Sequence, residues 1–574
     1  MRQQKSANQN SAFIELLVTR GILSDEVARR LLRRYHEDAY AVLMHMVRMN
    51  QHQKTLLARL WGDSVGVAHV DLDKTLFQRE VVKKLPEAFA RKNHLILLYQ
   101  FGEAITAAAA DPTNHLMLRE AQSILGCPVS PVFSFPEDIE AAIEVEYKTE
   151  EQLRDLSSRI VTDSVVIEDI SELTRDELQK IAGTQAVVEF VQGLLLLGVR
   201  EGASDIHIEP GEDKVRIRFR VDGVLQEKSN LEKSLLPPLV SRLKILADLN
   251  ITEKRRPQDG RLCLTLPNRT IDFRFSSVPT SYGEKIVLRV LGQMQTKDVP
   301  DLTDLSFSKT NLDALERIMA TPYGIFFVTG PTGSGKTTTL FSMLKHLNKP
   351  GVNITTIEDP IEYRIPGINQ IQLNTAVDLD FPAALRAFLR QDPDIILVGE
   401  VRDVETAEIA CRAALTGHMV LATLHTNNAI QAVTRLNDMG VQPYMVAPSM
   451  VGVLAQRLVR KICDHCREMY TAQPGEIEKF VVSEGNDVFL YRGKGCVQCN
   501  GTGYSGRVAI HEIIRINNEI RAQISRGSSL TEVQQSAVRT GFQSMRYDGI
   551  KKVLRGLTTL EEIQRVTVAD DDSA

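Results

Sequence analysis

The stretch Gly330-Pro331-Thr332-Gly333-Ser334-Gly335-Lys336-Thr337 has the spacing Gly-x-x-x-x-Gly-Lys-Thr, and it constrains the fold more than any other feature of the chain. The apolar run Tyr323-Gly-Ile-Phe-Phe-Val-Thr329 predicts a buried strand entering this loop, and Thr338 through Leu347 predicts a helix leaving it. In that setting consecutive backbone N–H groups and the helix N-terminus form a nest for the β- and γ-phosphates of a nucleotide. Lys336 would neutralise phosphate charge and the Thr337 hydroxyl would reach Mg²⁺. Gly330 through Thr338 are therefore the candidate nucleotide-binding residues. The expected class is α/β, with ATP and Mg²⁺ as cofactors.

A chain of 574 residues exceeds a single core and predicts three or four domains. Its 43% hydrophobic and 25% charged residues describe a soluble globular protein. A net charge of −5 argues against a surface that is basic overall and made for nucleic acid. No apolar run reaches the ~18–20 residues of a membrane span; the four leucines between Gly193 and Gly198 fall far short. The first thirty residues are polar or amphipathic and contain acids, unlike a cleaved signal peptide. Free cysteines, ATP dependence and no export signal together predict a cytoplasmic protein.

Residues 1–150 read as a mixed helical and α/β region. It has a helical pattern over 12–35, with Asp25 as a cap, a strand at His94–Tyr99 and a turn at Asp111-Pro112-Thr113-Asn114. Residues 151–182 are charged and read as a linker. A second α/β unit spans 183–297. It opens with a helix ending near Gly202 and continues with strands at Ser204–Glu209, Val215–Val221, Thr270–Phe275 and Ile286–Val290. Asp222-Gly223 is a hairpin signal within it. From 305 to 574, strands alternate with helices around the phosphate loop, the pattern of a largely parallel sheet. Asp570-Asp571-Asp572 reads as a solvated tail.

Three later segments place charged residues beside apolar strands. Ile354-Thr-Thr-Ile-Glu358-Asp359-Pro360-Ile-Glu362 is a strand ending in acids. Asp394-Ile-Ile-Leu-Val-Gly399-Glu400-Val-Arg402-Asp403 has the form of a Walker B segment, whose terminal carboxylate serves Mg²⁺ or the attacking water. Gly417-His418 through Thr423-Leu-His425-Thr426 is a buried strand bracketed by two histidines. Taken singly, an acid at a strand end also suits a helix cap, and such a histidine is more often structural. Parallel α/β sheets gather strand C-termini at one crevice, so the ordered series predicts convergence of Glu362, Glu400, His418 and His425 on Lys336.

Cys463-Asp-His-Cys466 and Cys496-Val-Gln-Cys499 are two Cys-x-x-Cys pairs separated by 29 residues. Four thiolates so arranged suit tetrahedral Zn²⁺, with His465 a bystander. Gly493, Gly495, Gly501 and Gly503 fit the turns such knuckles require. Cys127, Cys263 and Cys411 are isolated and expected to be buried.

Several of these segments together resemble the secretion ATPases of type II secretion and type IV pilus assembly, the GspE/PilB group. The matching segments are Gly202-Ala-Ser-Asp-Ile-His-Ile-Glu209-Pro210, Arg256-Pro-Gln-Asp-Gly-Arg261, Gly283-Glu-Lys-Ile-Val-Leu-Arg289, the acidic box at 357–362, Ile395–Glu400 and Thr416–Thr426. The resemblance implies a RecA-like ATPase core in a homohexameric ring, with a zinc subdomain at about 460–503. A preceding PAS-like α/β domain would supply arginines in trans, with Arg261 and Arg274 leading and Arg289 third. Glu400 is the first choice for the water- or Mg²⁺-directed carboxylate and Glu362 the second.

The resemblance also implies an N-terminal module docking to partners at an inner-membrane platform. Some relatives bind cyclic di-GMP there through Arg-Leu-Gly-type motifs. Here Leu16-Leu17-Val-Thr-Arg20-Gly21-Ile22-Leu23 lacks the leading Arg-Leu-Gly, so docking is the expectation and cyclic di-GMP the alternative. The implied function is a cytoplasmic motor for type IV pilus assembly, recruited to the inner membrane by partners. The alternatives are type II secretion and then a nucleic-acid translocase.

Overall fold

The computed structural model describes residues 12–36, 38–49, 54–73, 75, 77–147, 182–291, 299–472, 488–499 and 501–567, with a few positions between 156 and 180. The tail at Asp570–Asp572 and nearly all of the expected linker lie outside the described residues. The chain divides into two compact units, Met1–Leu291 and Gly292–Ala574.

The first unit opens with helices. The one at Asp25–Arg34 is capped by Ser24, whose side chain accepts from the Val27 backbone N–H. Asp25 is therefore a first-turn acid rather than the expected cap, and it pairs with Arg29. A small sheet follows, made of β1 (Leu95–Phe101), β2 (Ala104–Ala109) and β3 (Val129–Phe133) in the order β1-β2-β3. It packs with the helices His115–Leu125 and Pro136–Glu146.

After the helix Gln185–Arg200 come six strands: β4 (Ala203–Pro210), β5 (Lys214–Val221), β6 (Val224–Glu232), β7 (Gln258–Thr265), β8 (Thr270–Thr280) and β9 (Gly283–Leu291). They pair antiparallel in the order β6-β5-β4-β9-β8-β7. Asp222 and Gly223 both take positive φ in the β5–β6 turn, as a tight hairpin twisted with its strands requires. Strand alternation divides the sheet. Ile206, Ile217, Phe273, Phe275 and Leu288 join the helix in one core, while the opposite face carries charge.

The second unit is a seven-stranded sheet with helices on both faces. Its strands are β10 (Gly324–Thr329), β11 (Ile354–Glu358), β12 (Asn369–Gln372), β13 (Ile395–Val398), β14 (Met419–Leu424), β15 (Met450–Ile462) and, after an excursion, a last strand at Tyr504–Arg515. The excursion is a two-stranded ribbon of β16 (Arg467–Thr471) and β17 (Phe489–Gly493), and the last strand is β18. The order is β12-β11-β13-β14-β10-β15-β18, parallel throughout except for the last pair. Every residue of β10, β13 and β14 is buried, as strands covered by helices on both sides must be. Among the described residues, no helix is long and apolar enough to cross a membrane.

Lys244 supplies a test of the first unit's packing. Its side chain is fully buried, pairs with Glu284 at 2.5 Å and donates to the Glu253 carbonyl at 2.7 Å. Lys244→Ala strands a buried carboxylate, which should cost about 3–5 kcal/mol and lower this unit's thermal transition by roughly 10 °C. An unchanged melting profile would contradict this account of the pair.

Candidate active site

The order β11-β13-β14-β10 sets four strand C-termini side by side, each feeding one of the charged segments. The loop after β10 turns tightly into the helix Lys336–Leu347, with Gly335 at its N-cap. Gly330 (φ 148°) leaves no room for a side chain, because a Cβ there would lie 2.6 Å from both the Gln456 carbonyl and the Ser334 hydroxyl. Pro331, Thr332 and Gly333 are exposed, Ser334 is buried, and Thr337 and Thr338 stand half-buried on the first helical turn. Lys336 curls over the loop, donating through Nζ to the carbonyls of Gly330 (2.8 Å) and Pro331 (3.1 Å). Burial lowers the lysine's pKa and Arg457 adds to that shift, while Glu400 and Glu362 oppose it.

Glu400 lies just past β13, with Gly399 between them. Gly399 before it is closely packed, since a Cβ would sit 3.0 Å from the Ile357 carbonyl. The Glu400 carboxylate pairs with Arg402 at 2.7 Å and with His425 Nε2 at 2.8 Å. Burial works against its ionisation, but Arg402, His425 and Lys336 outweigh that and hold its pKa below the ordinary value. The carboxylate is thus kept charged, ready to accept from water or to face a cation. The ends of the strands are also tied. Thr423 donates to the Gly399 carbonyl at 2.6 Å, and the Thr426 N–H donates to the Thr329 hydroxyl at 2.9 Å.

The structure brings Lys336, Glu400 and His425 together, with Glu362 exposed and close enough for its charge to act on Lys336. Glu358 is buried and spoken for: the Thr356 hydroxyl donates to it at 2.6 Å and Gln370 at 3.0 Å. His418 is not brought to this crevice. It precedes β14, its Nδ1 lies 2.9 Å from the Ala413 carbonyl, and its own carbonyl accepts from Gly324 at the start of β10. The six residues of β14 separate the two histidines, so His418 stands at the opposite edge of the sheet.

The three arginines lie in the first unit as one cross-strand row. Arg261 opposes Arg274, Arg274 opposes Arg289, and Arg289 opposes Asp205. All three are exposed. Arg289 is engaged, its Nε 2.9 Å from Asp205, whereas Arg261 and Arg274 have no ion-pair carboxylate among the described residues.

Sequence reasoning passed over Gln456 and Arg457, and it named Arg402 without giving it a role. Gln456 is buried on β15, donates to the Ser334 carbonyl at 2.8 Å and accepts from Thr339 at 2.9 Å, so it braces the phosphate loop. The available signal was a Gln-Arg pair inside the otherwise apolar run Val453–Val459.

The four cysteines of the two pairs converge, all Sγ atoms lying within 4.8 Å of one another. Cys463 to Cys496 and Cys466 to Cys499 are each 3.8 Å. Tetrahedral bonds of about 2.3 Å imply edges of about 3.8 Å, so the donor set fits zinc. Burial raises the Cys499 thiol, but N–H groups of Cys496 and Gly503 outweigh it and bring the pKa to about 7. A Cβ on Gly493 would collide with the Gly503 carbonyl, so the knuckle needs glycine there. His465 is exposed and outside the cluster. Of the isolated cysteines only Cys411 is buried. Cys127 is half-buried and Cys263 exposed, because Cys263 falls on the polar side of β7.

Residues 180–565 match the family described as type II/IV secretion system protein, and residues 65–153 match the MshEN domain. The chain is 41% identical to the type IV pilus assembly ATPase PilB of Thermus thermophilus over 91% of its own length, and that alignment spans 58% of the relative. It is 43% identical to the type II secretion system protein E of Pectobacterium carotovorum, covering 84% of this chain and 97% of that one. In fold it is similar to the ATPase DotB of Legionella pneumophila, with a TM-score of 0.50 and 23% identity over 66% of this chain and 95% of that one.

Gln456→Ala removes both hydrogen bonds that brace the phosphate loop. We expect it to weaken binding of a fluorescent ATP analogue about 5- to 30-fold, equivalent to about 1–2 kcal/mol. Unchanged affinity would show that the loop holds its shape without Gln456.

Proposed function

Because the chain belongs to the type II/IV secretion system protein family, we propose that it is an ATP-hydrolysing motor that powers assembly of a type IV pilus. The observation that carries this reading is the meeting of Lys336, Glu400 and His425 at the strand ends beside the phosphate loop. Backbone N–H groups of Gly333 to Lys336 and the helix N-terminus receive the phosphates, and Lys336 leaves its two carbonyls to pair with them. Thr337 and Glu400 would hold Mg²⁺, which supplies charge neutralisation at the β- and γ-phosphates. Glu400 orients the attacking water, with His425 and Arg402 fixing its direction and Glu362 in a supporting role. Glu400→Gln should therefore keep nucleotide affinity and lose hydrolysis by about 100-fold or more.

In this reading the chain works as a homohexamer in which residues 183–297 present Arg261 and Arg274 to a neighbour's nucleotide. Their lack of ion-pair partners among the described residues supports that assignment over Arg289, which is tied to Asp205. The four cysteines hold Zn²⁺ as a structural crosslink, so metal analysis should return about one zinc per chain. Serine at Cys496 should lower both zinc content and thermal stability. Residues 1–150 dock to partners at the inner membrane, and cyclic di-GMP is the alternative ligand there.

A second reading, type II secretion, is favoured by the similarity to protein E of Pectobacterium carotovorum. Replacing the chromosomal gene with a Lys336→Ala version and scoring surface pili and secreted enzymes together separates the two. Loss of pili with normal secretion supports the first reading, and the reverse result moves the protein to secretion. Stimulation of hydrolysis by DNA would instead support a nucleic-acid translocase.

A further inference from the structure

His425 stands at the end of β14, just where the strand stops supporting the chain. Its side chain is 46% exposed, yet its Nε2 must stay 2.8 Å from Glu400. What holds the imidazole there is the following loop, and that loop is fixed from three strands. From β10, the Thr329 hydroxyl accepts from the Thr426 N–H at 2.9 Å. From β15, Arg457 donates through Nη2 to the Asn427 backbone carbonyl at 3.2 Å and to its Oδ1 at 3.1 Å. From β18, Glu512 accepts from the Ala429 N–H at 2.7 Å and, through its other oxygen, from the Met545 N–H at 2.9 Å.

The β10–β15 register sets Ala455 opposite Thr329, so Gln456 and Arg457 project at the level of the phosphate loop. As consecutive strand residues they point to opposite faces. Gln456 takes the loop itself, through Ser334 and Thr339, while Arg457 takes the segment beyond His425. Burial lowers the Arg457 pKa, and the charge of Glu512, the acid that takes the Ala429 and Met545 N–H groups, opposes that shift. The Arg457 charge also reaches Lys336.

We infer that Arg457 is a positioning residue for hydrolysis. Its fork on Asn427 sets the His425 imidazole against Glu400, and β15 thereby joins the phosphate loop to the His425 loop. The inference rests on the proposed role of His425 and adds a residue outside every motif.

The test is a double-mutant cycle in the full-length protein, reading kcat and KM for ATP, with zinc content as the check on folding. Arg457→Met should lower kcat about tenfold or more and change KM less than about threefold. Arg457→Lys should not restore kcat, because the lysine side chain ends about one bond short of Nη2 and its ammonium cannot reach both Asn427 acceptors. In the His425→Ala background, Arg457→Met should add little further loss. Losses that multiply, or full rescue by lysine, would overturn the inference. Should Arg457→Met not fold, Asn427→Ala removes one acceptor at an exposed position. It should lower kcat in the wild-type background and not in His425→Ala. Wild-type hydrolysis by His425→Ala would defeat the reading of His425 and this inference with it. Impaired His425→Ala beside normal Arg457→Met would defeat the inference alone.

Discussion

The parallel pairing of β10 with β14 on one side and β15 on the other is the constraint on which the site depends. A parallel strand brings its C-terminal end to the same edge as its neighbours', so residues more than a hundred positions apart meet without any long loop. Thr426 then donates to Thr329, and Gln456 reaches Ser334 on the phosphate loop. The burial of all six residues of β10 makes a slip in this register costly, since every pairing and core contact would be lost together. Glycine at 330 and 399 is part of the same constraint, because each lets backbone approach backbone where a side chain would force the strand ends apart.

The charges at that edge oppose one another in a way suited to phosphate chemistry. Lys336 is partly withdrawn from water and rests on carbonyl oxygens, which are weak partners that an anion can replace. Glu400 is held as an anion by two direct partners rather than by solvent. The crevice therefore carries both signs at fixed positions, the preorganised arrangement that the proposed hydrolysis calls for. On the first unit, the arginine row has the opposite character: all three residues are exposed, and two of them have no ion-pair carboxylate among the described residues.

Much of this was legible because the signals are local. The Gly-x-x-x-x-Gly-Lys-Thr spacing demands a strand, a tight turn and a helix in that order. The hairpin at Asp222-Gly223 and the two Cys-x-x-Cys knuckles likewise need only a few adjacent residues. Where expectation and structure part, the deciding neighbour is remote or the alternatives are adjacent. Ser24 displaces Asp25 as the cap by one position. His418 and His425 look equivalent as brackets of one strand, and only the sheet's polarity puts them at opposite edges. Cys263 was expected inside, but strand alternation turns it to the polar face, and β7 itself has too mixed a sequence to announce a strand.

By itself the sequence determined the phosphate loop, the order of charged segments behind it and the four-thiolate set, since each is encoded in short-range spacing. Only the tertiary structure decided which of the acids and histidines share the crevice, that Glu358 is taken by Thr356 and Gln370, and that Gln456 and Arg457 brace two loops from a distant strand. The physical reason is that hydrogen bonding and burial depend on strand order and register. Those are settled by the packing of the whole sheet rather than by any one segment within it.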